Sequence, residues 1–423
     1  MKNKKHEAKH RMNRNDRYLV GLDIGTSKIA CIIGEVREGV GPPSIVGIGT
    51  SPSRGLRKGV VVNLEACVEA LKQAVEEAEL MAGVEVDRAH VGIAGAHIRS
   101  LNSRGVVAIA GRDRTVTRED VSRVLEAAKA ISIPQDQEIL HVVPQEYVVD
   151  DQEGIRDPVG MSGSRLEALV HIVTGSVSSI QTIVNCVNRA GIEVADTILE
   201  QFAASEAVIT ADEREMGVAL VDIGGGTTDI AVFERGSIVH TAVLPTGGDH
   251  FTNDIAVGLR TPIPEAEKIK KKFGCALASM IGDDEMIEVP TMGGRKPRVL
   301  SRQVLCEIVQ PRAEEILALI QDEIRRTGYD RSISAGLVLT GGGSILEGIP
   351  EIAEQIFDLP VRRAAPFGVG GLADVVASPQ YGTAIGLVLY GAKHKTLKRR
   401  APAHETFLPR FAVRVREIFG QFF

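Results

Sequence analysis

Ala219-Leu220-Val221-Asp222-Ile223-Gly224-Gly225-Gly226-Thr227-Thr228-Asp229-Ile230-Ala231 is the stretch whose reading decides the fold. An apolar run with strand character ends in an aspartate, three glycines and two threonines reverse the chain, and a second apolar run leaves. Glycines let backbone approach a ligand with no Cβ in the way, and successive N–H groups in such a turn make an anion-binding concavity. A phosphate is the natural guest. An ordinary glycine-rich hairpin would carry the same residues, and one short motif does not separate the two readings.

The chain contains the motif twice. Tyr18 to Ile33 reads as another pair of apolar runs around a turn, and its Asp23-Ile24-Gly25-Thr26-Ser27-Lys28-Ile29-Ala30 aligns with Asp222 to Ala231 if the second copy carries two extra glycines. Copies this far apart predict two similar domains, each opening on a β-hairpin whose turn faces a shared cleft. Hairpin turns on both sides would clamp one polyphosphate. Asp23 and Asp222 then stand where a divalent cation, Mg2+, would bridge the phosphates through water. Lys28 answers phosphate charge as a point cation, although a solvated lysine on a hairpin would look the same.

A third glycine cluster follows at Leu337-Val338-Leu339-Thr340-Gly341-Gly342-Gly343-Ser344, with a helix-like segment after it. Such a strand-to-helix turn suits the flat face of a nucleoside, and a helix N-terminus suits its phosphate. GxxxxGK[ST] is absent and no complete GxGxxG follows a strand, which removes most support for P-loop and dinucleotide-binding folds.

Composition bounds the rest. A length of 423 residues exceeds what one hydrophobic core usually serves. Apolar and charged contents of 44% and 25% are those of a soluble globular protein. A net charge of −6, 4% aromatic residues and no Trp argue against nucleic acid as a partner. Five scattered cysteines, never as CxxC, read as core residues of a reducing cytosol. His90, His97, His141, His171, His240 and His250 show no ligand-like spacing and read as ordinary core or surface histidines. No long apolar run predicts a membrane span. Residues 1–17 hold seven Lys or Arg and almost nothing to bury, and are expected to be a disordered basic arm.

The order of motifs, two phosphate hairpins and then a triple-glycine nucleoside turn, resembles the actin, Hsp70 and sugar-kinase superfamily over about residues 18–392. Ile198 to Ala207 and Tyr381 to Val388 look like its two connecting helices, whose small residues permit close crossing. Glu267-Lys268-Ile269-Lys270 resembles the ExxK helix of actin-like proteins. The resemblance implies Glu267 on ribose and Lys270 against adenine; a solvated face of an amphipathic helix reads equally well. Glu200 stands where some relatives position the water that attacks the γ-phosphate, but an acid capping the connecting helix would look the same. ATP hydrolysis, if present, is expected to be slow.

Ala89 to Gly95, Arg104 to Ile109, a helix-like Arg118 to Ile131, a strand pair around Ile139 to Asp150, and Gly154 to Val173 occupy the place of actin's subdomain 1B. This insert is similar to subdomain 1C of the bacterial FtsA cell-division family, as are Gly55 to Val61, Ala78 to Gly83 and Gly274 to Leu277. Asn63 departs from the family, where an aspartate is expected. The implied fold is α/β: an actin-like two-domain ATPase fold with 1C replacing 1B, plus a C-terminal amphipathic helix. The implied division is 18–88 and 174–212 as subdomain 1A, 89–173 as 1C, 213–246 and 331–392 as 2A, and 247–330 as 2B. By the same resemblance the chain binds ATP, polymerises with itself on the inner face of the cytoplasmic membrane at the division site, recruits the C-terminal tail of FtsZ through 2B, and meets other division proteins through 1C. A PilM-like pilus-assembly ATPase and a sugar-kinase-type phosphotransferase are the alternatives.

The C-terminus speaks independently. A basic, Pro-containing linker at 393–406 leads to 407–423, where Leu408, Phe411, Val415, Phe419 and Phe422 recur at spacings of three or four, Ile418 widens the stripe, and arginines lie off it. The pattern predicts a helix lying in an anionic lipid surface; a helix docked on the protein's own body is the other reading.

Overall fold

The computed structural model describes residues 17–37, 41–111, 113–291 and 296–400. The basic arm before Arg17 and the membrane-helix residues Leu408, Phe411, Val415, Ile418, Phe419 and Phe422 lie outside the described residues.

In chain order the elements begin with β1 (Tyr18–Ile24), β2 (Lys28–Glu35), β3 (Ser44–Pro52), β4 (Leu56–Arg57), β5 (Val60–Val61), α1 (Leu64–Ala82) and β6 (Arg88–Ile93). An insert follows: β7 (Arg99–Ala108), α2 (Arg118–Lys129), β8 (Gln137–Val149), β9 (Gln152–Ile155) and β10 (Arg165–Ser176). The chain returns through α3 (Val177–Arg189) and β11 (Glu193–Leu199) to α4 (Glu200–Val208) and α5 (Ala211–Met216). The second half holds β12 (Val218–Ile223), β13 (Thr228–Glu234), β14 (Ser237–Leu244), α6 (Gly248–Leu259), α7 (Ile263–Phe273), β15 (Met286–Val289), β16 (Arg298–Ser301) and α8 (Arg302–Thr327). It continues with β17 (Leu337–Thr340), α9 (Ile349–Phe357) and β18 (Val361–Arg363). Then β19 (Gly370–Gly371) and α10 (Gly382–Arg400) return to the first half.

Two sheets carry the halves, ordered β11-β6-β1-β2-β3-β19 and β14-β13-β12-β17-β18. Each is built on an antiparallel hairpin extended by parallel strands. In β12 and β13, successive residues face opposite cores: Leu220, Ala231 and Phe233 join the first half's core, while Val221, Ile230 and Val232 join the second's. Burial on both faces is why these strands read as unbroken apolar runs. The helices α4 and α10 cross between the halves. A Cβ on Gly386 would sit 1.9 Å from the Ala203 carbonyl oxygen, so the crossing requires glycine, as the small residues led one to expect.

Four details correct the sequence reading. The hairpin registers pair Ile24 with Ile29 and Ile223 with Thr228, so both turns have four residues and the second copy carries no insertion. Residues 89–93 belong to β6 in the middle of the first sheet, so the insert opens after Ile93. The expected strand pair at 139–150 is one long strand, β8, paired with β10. The helix α10 runs to Arg400, through the first residues assigned to the basic linker. Asn63 is the N-cap of α1, its side chain accepting from the Ala66 amide at 3.1 Å, a task in which Asn and Asp are interchangeable.

Candidate functional site

The two four-residue turns, Gly25-Thr26-Ser27-Lys28 and Gly224-Gly225-Gly226-Thr227, meet across the cleft. A Cβ on Gly225 would lie 1.9 Å from Ser27 Oγ, and one on Gly226 would lie 2.9 Å from Thr26 Cγ2. The second turn is held by its carbonyls, which accept from the first amides of α6: Gly248 to Gly224 at 2.9 Å and Asp249 to Gly225 at 2.7 Å.

Carboxylates converge behind the turns. Asp23 at the end of β1 is 9% exposed, and burial pushes its carboxyl up to about 7, with Lys28 opposing and Asp222 adding to the rise. Asp222, which accepts from Thr383 Oγ1 at 3.0 Å, is raised to about 6 by burial, against the pull of that bond and of Lys28. Asp229 is the cross-strand partner of Asp222 and takes bonds from Gln201 Nε2 at 2.9 Å and Thr227 Oγ1 at 3.2 Å. Burial and then Asp222 hold it well above the carboxylate range. Glu200, the first residue of α4, lies against Gly92, whose Cβ would come within 3.1 Å of the Glu200 Cγ. It too is raised far above its usual value, by burial first and then by Asp23, Asp229 and Asp222. No side-chain bond caps α4, so the capping role for Glu200 finds no support in the geometry.

Lys28 is the cation among these acids. Its Nζ donates to the Gln380 carbonyl at 2.9 Å and lies 3.9 Å from the Tyr381 ring centroid, and burial lowers it to about 8. Among the described residues no three acids, histidines or cysteines are placed to ligate a metal directly. A ring of raised carboxylates with one lysine suits Mg2+, which keeps most of its waters and binds through phosphate oxygens.

The remaining site residues divide. Gly342 is exposed with open space at its Cα, whereas Gly341 holds φ +82° against Asp222 and Gly343 packs on Ile223. A single 3-10 turn, Gly342–Ile345, begins within these glycines and α9 starts only after Gly348, so the expected α-helix N-terminus is displaced from them. Ser344 is fully buried and donates to the Gly341 carbonyl at 2.8 Å, and Thr228 donates to the Thr246 carbonyl at 2.8 Å; both hydroxyls shape turns. Glu267 and Lys270 on α7 pair at 2.6 Å, and Lys270 also donates to Gly248 O at 2.9 Å, which sets the pair beside the second turn. Asp229, Gln201 and Thr383 were not singled out from sequence. Asp229 was legible only once the register placed it opposite Asp222.

The family models agree with the architecture. "Cell division protein FtsA" matches residues 219–386, and "SHS2 domain inserted in FTSA" matches residues 95–174. A cell division protein FtsA of Pseudomonas aeruginosa is 55% identical over 90% of this chain and 91% of its own length. The chain belongs to the FtsA family. Other FtsA proteins, of Neisseria meningitidis and Bacillus subtilis, are 49% and 39% identical over 89% and 92% of this chain, and 91% and 86% of their own lengths. A model for the type IV pilus assembly protein PilM matches 158–277, and the PilM–PilN complex superposes with TM-score 0.64 at 17% identity, covering 88% of this chain and 98% of that one. MreB5 of Spiroplasma citri bound to ADP superposes with TM-score 0.54 at 16% identity, covering 92% and 100%. At these identities the last two establish the fold alone. This FtsA-family chain is an actin-like cell-division protein.

Proposed function

We propose that the chain binds ATP with Mg2+ between its two glycine turns, assembles with itself, and holds FtsZ filaments to the cytoplasmic face of the membrane at the division site. The observation that carries the nucleotide reading is the interlock of the turns, glycines on one side and hydroxyls on the other, in front of Asp23 and Asp222. The ADP in the MreB5 structure belongs to that protein and supports the reading through the shared fold. When bound, the metal would neutralise phosphate charge; Asp23 and Asp222 would hold its water shell. Glu200 and Gln201, on the floor of the cleft, would orient a water toward the terminal phosphate, with slow hydrolysis as the consequence. Residues 247–330 would take the FtsZ tail, and the insert would meet other division proteins.

Among the described residues no helix is long and apolar enough to cross a membrane. The apolar stripe of the tail at 407–423, with arginines off it, would attach as an interfacial helix. Each large apolar side chain is worth at most about 1.5–3 kcal/mol when fully buried, and an interfacial helix buries it only partly. One tail binds weakly; several on one filament gain effective concentration and hold firmly. Liposome flotation of the full chain against a chain ending at Arg400, where α10 stops, tests the anchor, and equal flotation would overturn it. Calorimetry tests the cleft: Asp222→Ala with Gly225→Val should leave no measurable ATP affinity, and retained affinity would refute the assignment. A pilus-assembly role loses its ground to FtsA relatives at 39–55% identity.

A further inference from the structure

The insert grows out of the first half yet is bonded to the second. Ile98, Leu140 and Val173 root it in the first half's core, while its helix and sheet enclose a separate core of their own around Val124, Leu166 and Ile172. Its far contact is with β14, the edge strand of the second sheet. An open edge strand presents unpaired carbonyls, and here polar side chains of the insert take them. Ser100 Oγ donates to Thr241 O at 2.8 Å, Asn102 Nδ2 to Val239 O at 3.1 Å, and Gln145 Nε2 to Ile238 O at 3.1 Å. Ser237 Oγ returns a bond to Gln145 O at 2.9 Å.

Asn102 is the hub. Its Nδ2 also reaches the Tyr329 hydroxyl at 3.3 Å, and its Oδ1 accepts from Gln145 at 3.3 Å and lies 2.7 Å from His171 Nδ1. The other ring nitrogen of His171 lies 3.0 Å from Thr241 Oγ1. The backbone prepares this arrangement: the register of β8 slips where Leu169 faces Glu146 and Val170 faces Pro144, so Gln145 is the extra residue of a bulge. Bulges re-aim a side chain, and this one turns Gln145 onto β14. Behind the bonds lies a cavity lined by His141 and Val143 of the insert, Phe202 of α4, Arg214, Ile238 and Tyr390. The junction of insert, connecting helices and second half is therefore hydrogen-bonded but incompletely filled.

We propose that the insert is a releasable clasp: docked on β14 it ties the second half to the first across the back of the molecule, and its release sets the rate at which the cleft opens and lets nucleotide go. The inference rests on the nucleotide reading of the cleft. Bonds between polar side chains and backbone carbonyls exchange readily for water and have a small net worth. The insert keeps its own core when they break, so it can leave β14 as a unit. Opening of the halves requires those bonds to be lost because the insert's root and β14 lie on different halves.

The test uses the full chain, a fluorescent ATP analogue with Mg2+, and stopped-flow release against excess unlabelled ATP. Asn102→Ala, which removes the hub, should accelerate release at least fivefold with association changed less than twofold. Gln145→Ala should accelerate it about threefold, and Glu126→Ala on the exposed side of α2 should change nothing. Hydrogen exchange should rise together at residues 100–104 and 237–242. Release within twofold of the unaltered chain in a folded Asn102→Ala protein would overturn the clasp while leaving the nucleotide reading standing. Failure of the unaltered chain to bind the analogue would remove the nucleotide reading, and the clasp with it. If Asn102→Ala does not fold, Gln145→Ala and Ser100→Ala decide by the same criterion.

Discussion

Gly25-Thr26-Ser27-Lys28 and Gly224-Gly225-Gly226-Thr227 are turns of equal length in hairpins of equal register, yet one is furnished with side chains and the other stripped of them. The stripped turn receives the furnished one: Ser27 and Thr26 occupy the space where side chains on Gly225 and Gly226 would stand. The strands differ as well. Asp23 faces Ala30 across the first hairpin, whereas Asp222 faces Asp229 across the second, so two carboxyls oppose each other there. Two copies of one motif have become complementary halves of a clamp, one carrying hydroxyls and a cation, the other open backbone and an extra acid.

The sharpest way to break this complementarity is Gly225→Val. Its Cβ would overlap Ser27, forcing the turns apart, and ATP affinity by calorimetry should fall more than a hundredfold. Lys28→Ala should have a smaller effect, about tenfold, because one point cation is lost while both turns stay in place. Asp229→Asn should act through pH. A carboxyl raised in the folded state binds a proton that the unfolded chain has already released, so stability is lost as pH rises from the ordinary Asp value through the raised one. Without nucleotide, the melting temperature of the unaltered chain should therefore drop between pH 5.5 and 8 by more than that of Asp229→Asn; equal drops would contradict the raised value. Asp23, raised to about 7, should show the same sign over a window reaching near pH 7. The smallest effect belongs to Gly342→Ala: with open space at its Cα, the melting temperature should stay within what about 0.5 kcal/mol allows.

Much of this was legible in the residues. Asp23 and Asp222 at strand ends, the glycine turns, the small residues of the connecting helices and the helix at 118–129 all follow from local pattern. That helix is marked by Thr117 and Asp120 as a reciprocal cap. The turn lengths were misread because an alignment on residue identity placed Lys28 opposite Asp229, whereas the register places it opposite Thr227. The strand pair expected at 139–150 is one strand because Pro144, which cannot donate to a ladder, sits beside a bulge and ends nothing. Asn102, Gln145 and His171 carried no signal at all. Their partners are backbone carbonyls and side chains from about 40 to 230 positions away, and a polar residue at a sheet edge reads as solvated until its neighbour is known.

Sequence by itself determined the family, the two-domain α/β fold and the glycine turns, since these rest on short-range pattern: unbroken apolar runs, glycines grouped at the turns, and an acid at the end of a strand. Only the tertiary structure decided that the turns interlock, that Asp222 and Asp229 oppose each other, that Ser344 is spent on its own turn and Thr228 on the Thr246 carbonyl ahead of α6, and that the insert grasps the edge of the second sheet. The interlock and the grasp depend on which atoms lie within a few ångströms across elements distant in sequence, and the opposition of Asp222 to Asp229 depends on the hairpin register; neither is contained in residue identity.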